Sequence, residues 1–317
     1  MATKKFRFAV QSSTASSAAE WKELARKSEA NGYSTLHAPD HYVDPASNGG
    51  QLLAAFPALA AAAAVTDTLR VGTRVLCIDY HQPVVLAKSA ATLDFLSDGR
   101  FELGLGAGWV KSEYDSMGLT LDSTPTRIAR LADTVDFLKA FFGGETIEMT
   151  NSAVNVHGMK GAPVPASKSM PIMIGGGAQK MLTLAGQLAD IVSFNFNNKA
   201  GAVTPASIQS AMDAGMRDRV SWVKAGAGSR FDQIELEVGA YFTVVTPDAL
   251  PTAEKMGGMF GISAEEMLAH PNALIGSVDA ICDRLVERRE KYGISYITVS
   301  DRNLEPFAPV VARLAGK

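Results

Sequence analysis

Eight short apolar runs, each followed by a helix-like pattern, lie in one chain of 317 residues. That alternation predicts an α/β fold with a parallel sheet. The chain length sits near the ~250 residues typical of a (β/α)8 (TIM) barrel, with room for insertions on its C-terminal face. No internal repeat or low-complexity linker divides the chain, so residues 1–317 are expected to form a single domain. A doubly wound sheet is the other arrangement that the alternation allows.

The elements follow in order. Residues 6–11, "FRFAVQ", read as the first strand. Residues 17–32 read as a helix with Trp21, Leu24 and Ala25 on one face and Gly32 as its stop. "YSTLHA" is the second strand, and the Ala-rich residues 52–65 form a buried helix. Residues 69–78, rich in β-branched side chains, form the third strand. Pro83 opens a helix that runs to Gly99, and "RFELGLGAG" is strand again. Residues 124–144 carry Pro125 in the first turn and two glycines at the end, the expected polarity of a helix. Strands "MPIMIGGG" and "DIVSFNF" flank the helix "AQKMLTLAGQLA". Residues 205–224 look helical, and 233–245 look extended. Helix 277–293, strand 294–300 and helix 304–316 close the pattern.

Two stretches exceed ordinary connections. Residues 143–169 contain a hairpin pattern turning at Asn151 and Ser152. Residues 246–276 are rich in Met, Gly and Ala, and form either a lid over the site or a helical insertion packed on the rim.

The formal charge of −3 and the lack of a dense Lys/Arg run argue against nucleic acid as a partner. Cys77 and Cys282 stand far apart with no metal spacing, which fits a reducing cytoplasm. No apolar core follows the N-terminal lysines, so no signal peptide is expected. The most apolar run contains Pro57 and falls short of the ~20 residues of a membrane span.

In a barrel the strand C-termini face the active site. "HAPDHY" ends the second strand there. Its two histidines are four apart, but Pro39 disfavours the helix that would align them as metal ligands, and no further cluster completes a ligand set; no metal is expected. His41 can instead move a proton near neutral pH, with Asp40 as a hydrogen-bond acceptor. "GLGAGW" has Trp109 where the dinucleotide fingerprint needs its third glycine. Its glycines imply either close approach to something flat or tight packing at a strand. "IGGGAQK" places three glycines between a strand and a helix N-terminus, where free N–H groups suit a phosphate. Lys180 could add charge there.

The segments "VGTRVLCIDYHQPVVLAKSAATLDFLSDGRFELGLGAGW" and "PIMIGGGAQKMLTLAGQLADIVSF" resemble the bacterial luciferase-like superfamily. The nearest resemblance is to its actinobacterial branch of oxidoreductases that use the deazaflavin coenzyme F420. The resemblance implies a TIM barrel with the cofactor at its C-terminal mouth. Asp40 then matches an acid near the deazaflavin ring. His41 matches a proton-accepting histidine of the superfamily's sugar-phosphate dehydrogenases. A non-proline cis peptide in strand 3 is implied near Arg74 and Val75, backing the ring. Gly106, Ala107 and Gly108 match a loop along the cofactor side chain; Gly176, Gly177 and Ala178 match the loop that holds its phosphate. The pattern is broken at Trp109, where those dehydrogenases carry a glutamate as general acid. That argues against a sugar phosphate, leaves Trp109 and Tyr80 as pocket residues, and makes Glu113 and Tyr80 possible replacements for the acid. Close relatives read Arg-His at the exit of strand 3, where this chain has His81 and Gln82.

The expected activity is hydride transfer between F420 and a small organic substrate, by a homodimer. An FMN-dependent monooxygenase and a non-catalytic barrel that only binds flavin or deazaflavin are the alternatives. Arg127 and Lys180 are candidates to face the acidic tail of F420.

Overall fold

A computed structural model describes residues 4–42, 50–167, 169–199, 201 and 203–317. Eight parallel strands alternate with helices, as the (β/α)8 reading predicts. They are β1 (Arg7–Gln11), β2 (Thr35–Ala38), β3 (Arg70–Thr73), β4 (Phe101–Gly106), β5 (Ile172–Gly176), β6 (Ile191–Phe194), β7 (Glu235–Gly239) and β8 (Ile294–Ser300). By internal contacts the chain divides into two compact units. The first comprises Met1–Ser12, Lys27–Thr35 and Gly175–Lys317; the second comprises Ser13–Arg26 and Leu36–Ile174.

In the first unit, β1 pairs with β8 (Ala9 opposite Thr298), β8 with β7, and β7 with β6 (Glu237 opposite Ser193), all parallel. Their apolar side chains are fully covered: Phe8, Val10, Val192, Phe194, Val238 and Ile297 are each at most 2% exposed. Runs of consecutive buried residues, rather than strict alternation, are what a strand covered on both faces requires. The helix Val278–Tyr292 begins where the Ser277 hydroxyl accepts the Ala280 N–H, and ends at Gly293 with a φ of 77°. Left-handed geometry at that position favours glycine.

The second unit holds β3 beside β4 (Val71 opposite Phe101) and β4 beside β5 (Leu103 opposite Ile172). Strand 3 is not continuous over residues 69–78. It stops at Thr73, and Leu76–Cys77 resumes pairing with β4 opposite Leu105 and Gly106. Between the two pieces the Arg74–Val75 peptide is cis. Gly104 fits against this break: a Cβ there would stand 1.9 Å from the Thr73 carbonyl oxygen. The Thr73 hydroxyl both accepts the Gly104 N–H at 2.8 Å and donates to its carbonyl at 2.9 Å. After the turn at Tyr80, Gln82 caps the helix Pro83–Leu96 by accepting the Val85 N–H.

The long connections take definite forms. Thr146–Thr150 and Asn155–Lys160 make the expected hairpin, with the Asn151 side chain accepting the N–H groups of Ala153 and Val154 across the turn. This hairpin follows the helix Thr124–Phe142 and precedes β5. Connectivity therefore assigns it to the strand N-terminal ends, and only the 246–276 insertion enters after a strand. Residues 233–245 split into β7 and a separate strand, Phe242–Val245, which pairs in parallel with Ala273–Gly276. Helices Ala249–Gly258 and Ala264–Ala269 lie between them. Phe196, Ile208, Phe242, Met267 and Ile275 form one buried cluster there, so the insertion is a packed helical element that shares its core with the segment after β6. Helix 205–224 is likewise two helices, Pro205–Gln209 and Asp213–Ala227. Among the described residues no helix is long and apolar enough to cross a membrane.

Candidate functional site

The chemistry of the second unit gathers at the exits of β2, β3 and β4. His37 does not face the exit. It is wholly buried, with Nε2 3.8 Å from Glu102, whose other oxygen accepts from Arg70 Nε at 2.6 Å. Among the described residues, no group of three or more His, Cys, Asp or Glu is placed to hold a metal ion.

Asp40 and His41, neighbours in sequence, are each bound to a partner from a later segment. Asp40 is 8% exposed. Its Oδ2 accepts His81 Nε2 at 2.7 Å and the Cys77 N–H at 3.2 Å. It thereby ties the end of β2 to the exit of strand 3, just beyond the cis peptide. The Arg74 N–H adds a second tie, donating to the Ala38 carbonyl. His41 lies against Glu113, with Nδ1 3.1 and 3.2 Å from the two carboxylate oxygens. The edge of Trp109 meets the His41 ring at a centroid distance of 6.3 Å.

Glu113 sits in the first turn of the helix Lys111–Met117 and is 1% exposed. Besides His41 it takes the Tyr42 N–H at 2.8 Å and the Tyr80 hydroxyl at 3.1 Å. Burial first, then the nearby Cys77 and Glu113, pushes the Tyr80 phenol upward. Tyr42 is pushed upward in the same way, first by burial and then by Asp40. Cys77 is raised to about 11, mainly by burial, so its thiol stays protonated. Tyr114, whose pKa burial also raises, donates to Asp79 at 2.8 Å and lies 3.3 Å from the Cys77 sulfur. Asp79 in turn accepts from Arg130 at 2.6 Å.

The glycines of "GLGAGW" meet protein atoms. A Cβ at Gly106 would stand 2.9 Å from Val75, and one at Gly108 would stand 2.0 Å from the Tyr114 hydroxyl. Gly108 also takes a φ of 73°. Close packing thus accounts for the side-chain direction of both glycines. Arg127 does not reach outward: its guanidinium donates to the carbonyls of Ala107 and Gly108, and Nε to that of Asp122.

The second group lies in the first unit. Gly176 ends β5, Gly177 follows it, and Ala178 is the N-cap of the helix Gln179–Leu188. No side chain caps that helix, which leaves its first N–H groups to another acceptor. Gly177 is required by a close approach: a Cβ would lie 2.3 Å from the Phe196 carbonyl and 2.5 Å from that of Asn195. The Asn195 N–H donates to the Gly176 carbonyl at 2.8 Å. Arg219, 2% exposed, donates from Nε to the Gly177 carbonyl at 3.2 Å. Its Nη1 is buried with no hydrogen-bond partner among the described residues. Burial lowers its pKa to about 10, so it is still a cation at pH 7. Lys180 is exposed at the second helical position.

Sequence reasoning had named Asp40, His41, Trp109, Tyr80 and Glu113 without their pairings, and the structure brings all but Asp40 into one group. It had not assigned His81 or Arg219 to a site. His81 carried a signal, as a histidine at a strand exit. Arg219, in a helix interior 42 residues from Gly177, carried none.

Residues 3–296 match the family model described as luciferase-like monooxygenase. An F420-dependent glucose-6-phosphate dehydrogenase from Nakamurella multipartita is 30% identical over 68% of this chain and 61% of its own length. A 4-hydroxyprotoasukamycin monooxygenase from Streptomyces nodosus subsp. asukaensis is 28% identical over 63% of this chain and 56% of its own. The chain thus spans between about half and two thirds of the length of these curated relatives. The F420-dependent tetrahydromethanopterin reductase of Methanopyrus kandleri superposes with a TM-score of 0.74 at 18% identity, covering 98% of this chain and 100% of that one. That likeness shows the fold, a (β/α)8 barrel.

Proposed function

We propose that this chain, which belongs to the luciferase-like monooxygenase family, is an F420-dependent oxidoreductase that acts on a small organic substrate without a phosphate group. The observation that carries the reading is the group at the strand exits in which the buried Glu113 carboxylate meets the part-exposed His41 and Tyr80. When bound, the deazaflavin supplies hydride chemistry, moving two electrons and one hydrogen to or from a substrate carbon. The residues must then move the accompanying proton. His41 is assigned that task, exchanging a proton with the substrate heteroatom and with solvent. Asp40, held by His81 and the Cys77 N–H, fixes the strand 3 exit. Trp109, whose edge meets the His41 ring, and Tyr80, bound to the same Glu113, are assigned to the substrate pocket.

The phosphate of the cofactor is assigned to the turn of Gly176, Gly177 and Ala178. Two features support the fit: a helix N-terminus without a side-chain cap, and a buried guanidinium with one nitrogen that has no partner among the described residues. Arg74, Val75, Gly106, Ala107 and Gly108 are assigned to the ring and side-chain end. Arg127 is withdrawn as a partner for the acidic tail, because its donors are used by carbonyls.

The named relatives include F420-dependent dehydrogenases, which favours F420 over FMN. The monooxygenase relative keeps the FMN reading as the alternative. The reading also places the enzyme in the cytoplasm, where its two free cysteines stay reduced, and as a homodimer covering the exposed Val85, Phe95 and Leu96 of one helix. The test is a panel of uncharged carbonyl and enone acceptors with reduced F420, followed by the return of the oxidised absorbance. Turnover that falls at least about a hundredfold in His41→Gln supports the proton role, since general acid–base groups contribute about 10²–10⁴-fold. Full turnover in that variant refutes it.

A further inference from the structure

Glu113 is a buried carboxyl group whose presence hydride transfer alone does not require. Three of its partners are donors or can be. The Tyr42 N–H donates to Oε1 at 2.8 Å, and the Tyr80 hydroxyl to Oε2 at 3.1 Å. Tyr80 keeps its proton, because burial above all raises its pKa. His41 Nδ1 lies 3.1 and 3.2 Å from the two oxygens. An ionised carboxylate only accepts, so the ring nitrogen facing it must carry hydrogen. The second ring nitrogen, Nε2, is then the one left to exchange protons. Which tautomer an imidazole adopts is set by the bond its other nitrogen makes.

We infer that Glu113 is a positioning residue: it keeps hydrogen on His41 Nδ1, so that Nε2 is the atom that takes a proton from solvent, giving the imidazolium, and passes it to the substrate. Tyr80 and the Tyr42 N–H hold the carboxylate in place for that task. The inference rests on the proton role proposed for His41. It also answers the vacancy left by Trp109. Glu113 has no need to act as a separate acid if it orients the one proton carrier.

The experiment is nitrogen NMR of histidine-labelled protein, at a pH where the imidazole is neutral, with the His41 signals identified by their loss in His41→Gln. Wild type is expected to show Nδ1–H. Glu113→Gln brings an amide that can donate to Nδ1, and is expected to shift His41 toward Nε2–H. Tyr80→Phe keeps the carboxylate and is expected to retain Nδ1–H. A wild-type ring that is mainly Nε2–H overturns the inference, even if no variant folds. So does a Glu113→Gln spectrum with the tautomer unchanged. F420 titration of the same wild-type sample separates the two proposals. Failure to bind F420 would remove the proposed function, while the spectra would still decide what Glu113 does to His41.

Discussion

Gly177→Ala puts the phosphate assignment under direct strain. The new Cβ would stand 2.3 Å from the Phe196 carbonyl oxygen and 2.5 Å from that of Asn195. Both are backbone atoms, so no rotamer relieves the contact. Ordinary non-bonded contacts lie near ~3.5 Å, so the turn must move by about 1 Å. It cannot slide freely, because the Asn195 N–H and Arg219 Nε hold the carbonyls of Gly176 and Gly177. A shift of that size breaks at least one N–H contact to a phosphate. A hydrogen bond to a charged group contributes about 1.5–3 kcal/mol, so F420 affinity should fall about tenfold to a hundredfold. Gly258→Ala, in the helix Ala249–Gly258, is the control: nothing lies within 4 Å of its added Cβ, and the affinity should stay within about threefold of wild type. Fluorescence titration of F420 measures both. Gly177→Ala binding within about twofold of wild type, with an unchanged melt, would refute the assignment.

Three further outcomes follow from the structure. Gly104→Ala sets a Cβ 1.9 Å from the Thr73 carbonyl, between strands clasped by the Thr73 hydroxyl, and should cost about 3 kcal/mol or more in urea unfolding; a cost under about 1 kcal/mol would contradict the packing. His270 is held neutral, its pKa lowered to about 4 chiefly by burial, with Nε2 toward the Ile208 carbonyl and Nδ1 accepting the Asn272 N–H. Its unfolded pKa is higher, so the unfolded chain takes the proton first: this contribution is full above about pH 6.5 and is lost as pH falls toward 4, about 2 kcal/mol between pH 7 and 5. His270→Gln should flatten that slope in denaturant titrations at the two pH values, and an unchanged slope would refute it. Tyr80→Phe removes a donor from the buried Glu113 carboxylate and should destabilise by about 1.5–3 kcal/mol in the same assay; no loss would mean that the bond is not made in solution.

The strands were legible because apolar runs between helical periods are a local property of the chain. So was the hairpin at Asn151, whose side chain makes its turn. The break in strand 3 was not visible in periodicity. Val71, Val75 and Cys77 continue an apolar pattern through Arg74, and only the family resemblance pointed there. The His41–Glu113 bond joins residues 72 apart, and sequence supplies the two residue types without saying that they meet. Glycines were the hardest to read. A triplet marks lost side chains, but not whether a ligand or the protein fills the space. At Gly104, Gly106 and Gly177 protein atoms fill the side-chain direction. Of the two long stretches, 143–169 departs from the expectation of insertions on the C-terminal face, because it follows a helix and not a strand.

The measurement that tests the central claim most directly is a paired fluorescence titration of the purified protein with oxidised F420 and with FMN. The account predicts saturable binding of F420 and at least about tenfold weaker binding of FMN. Tighter binding of FMN, or no binding of F420, would contradict it.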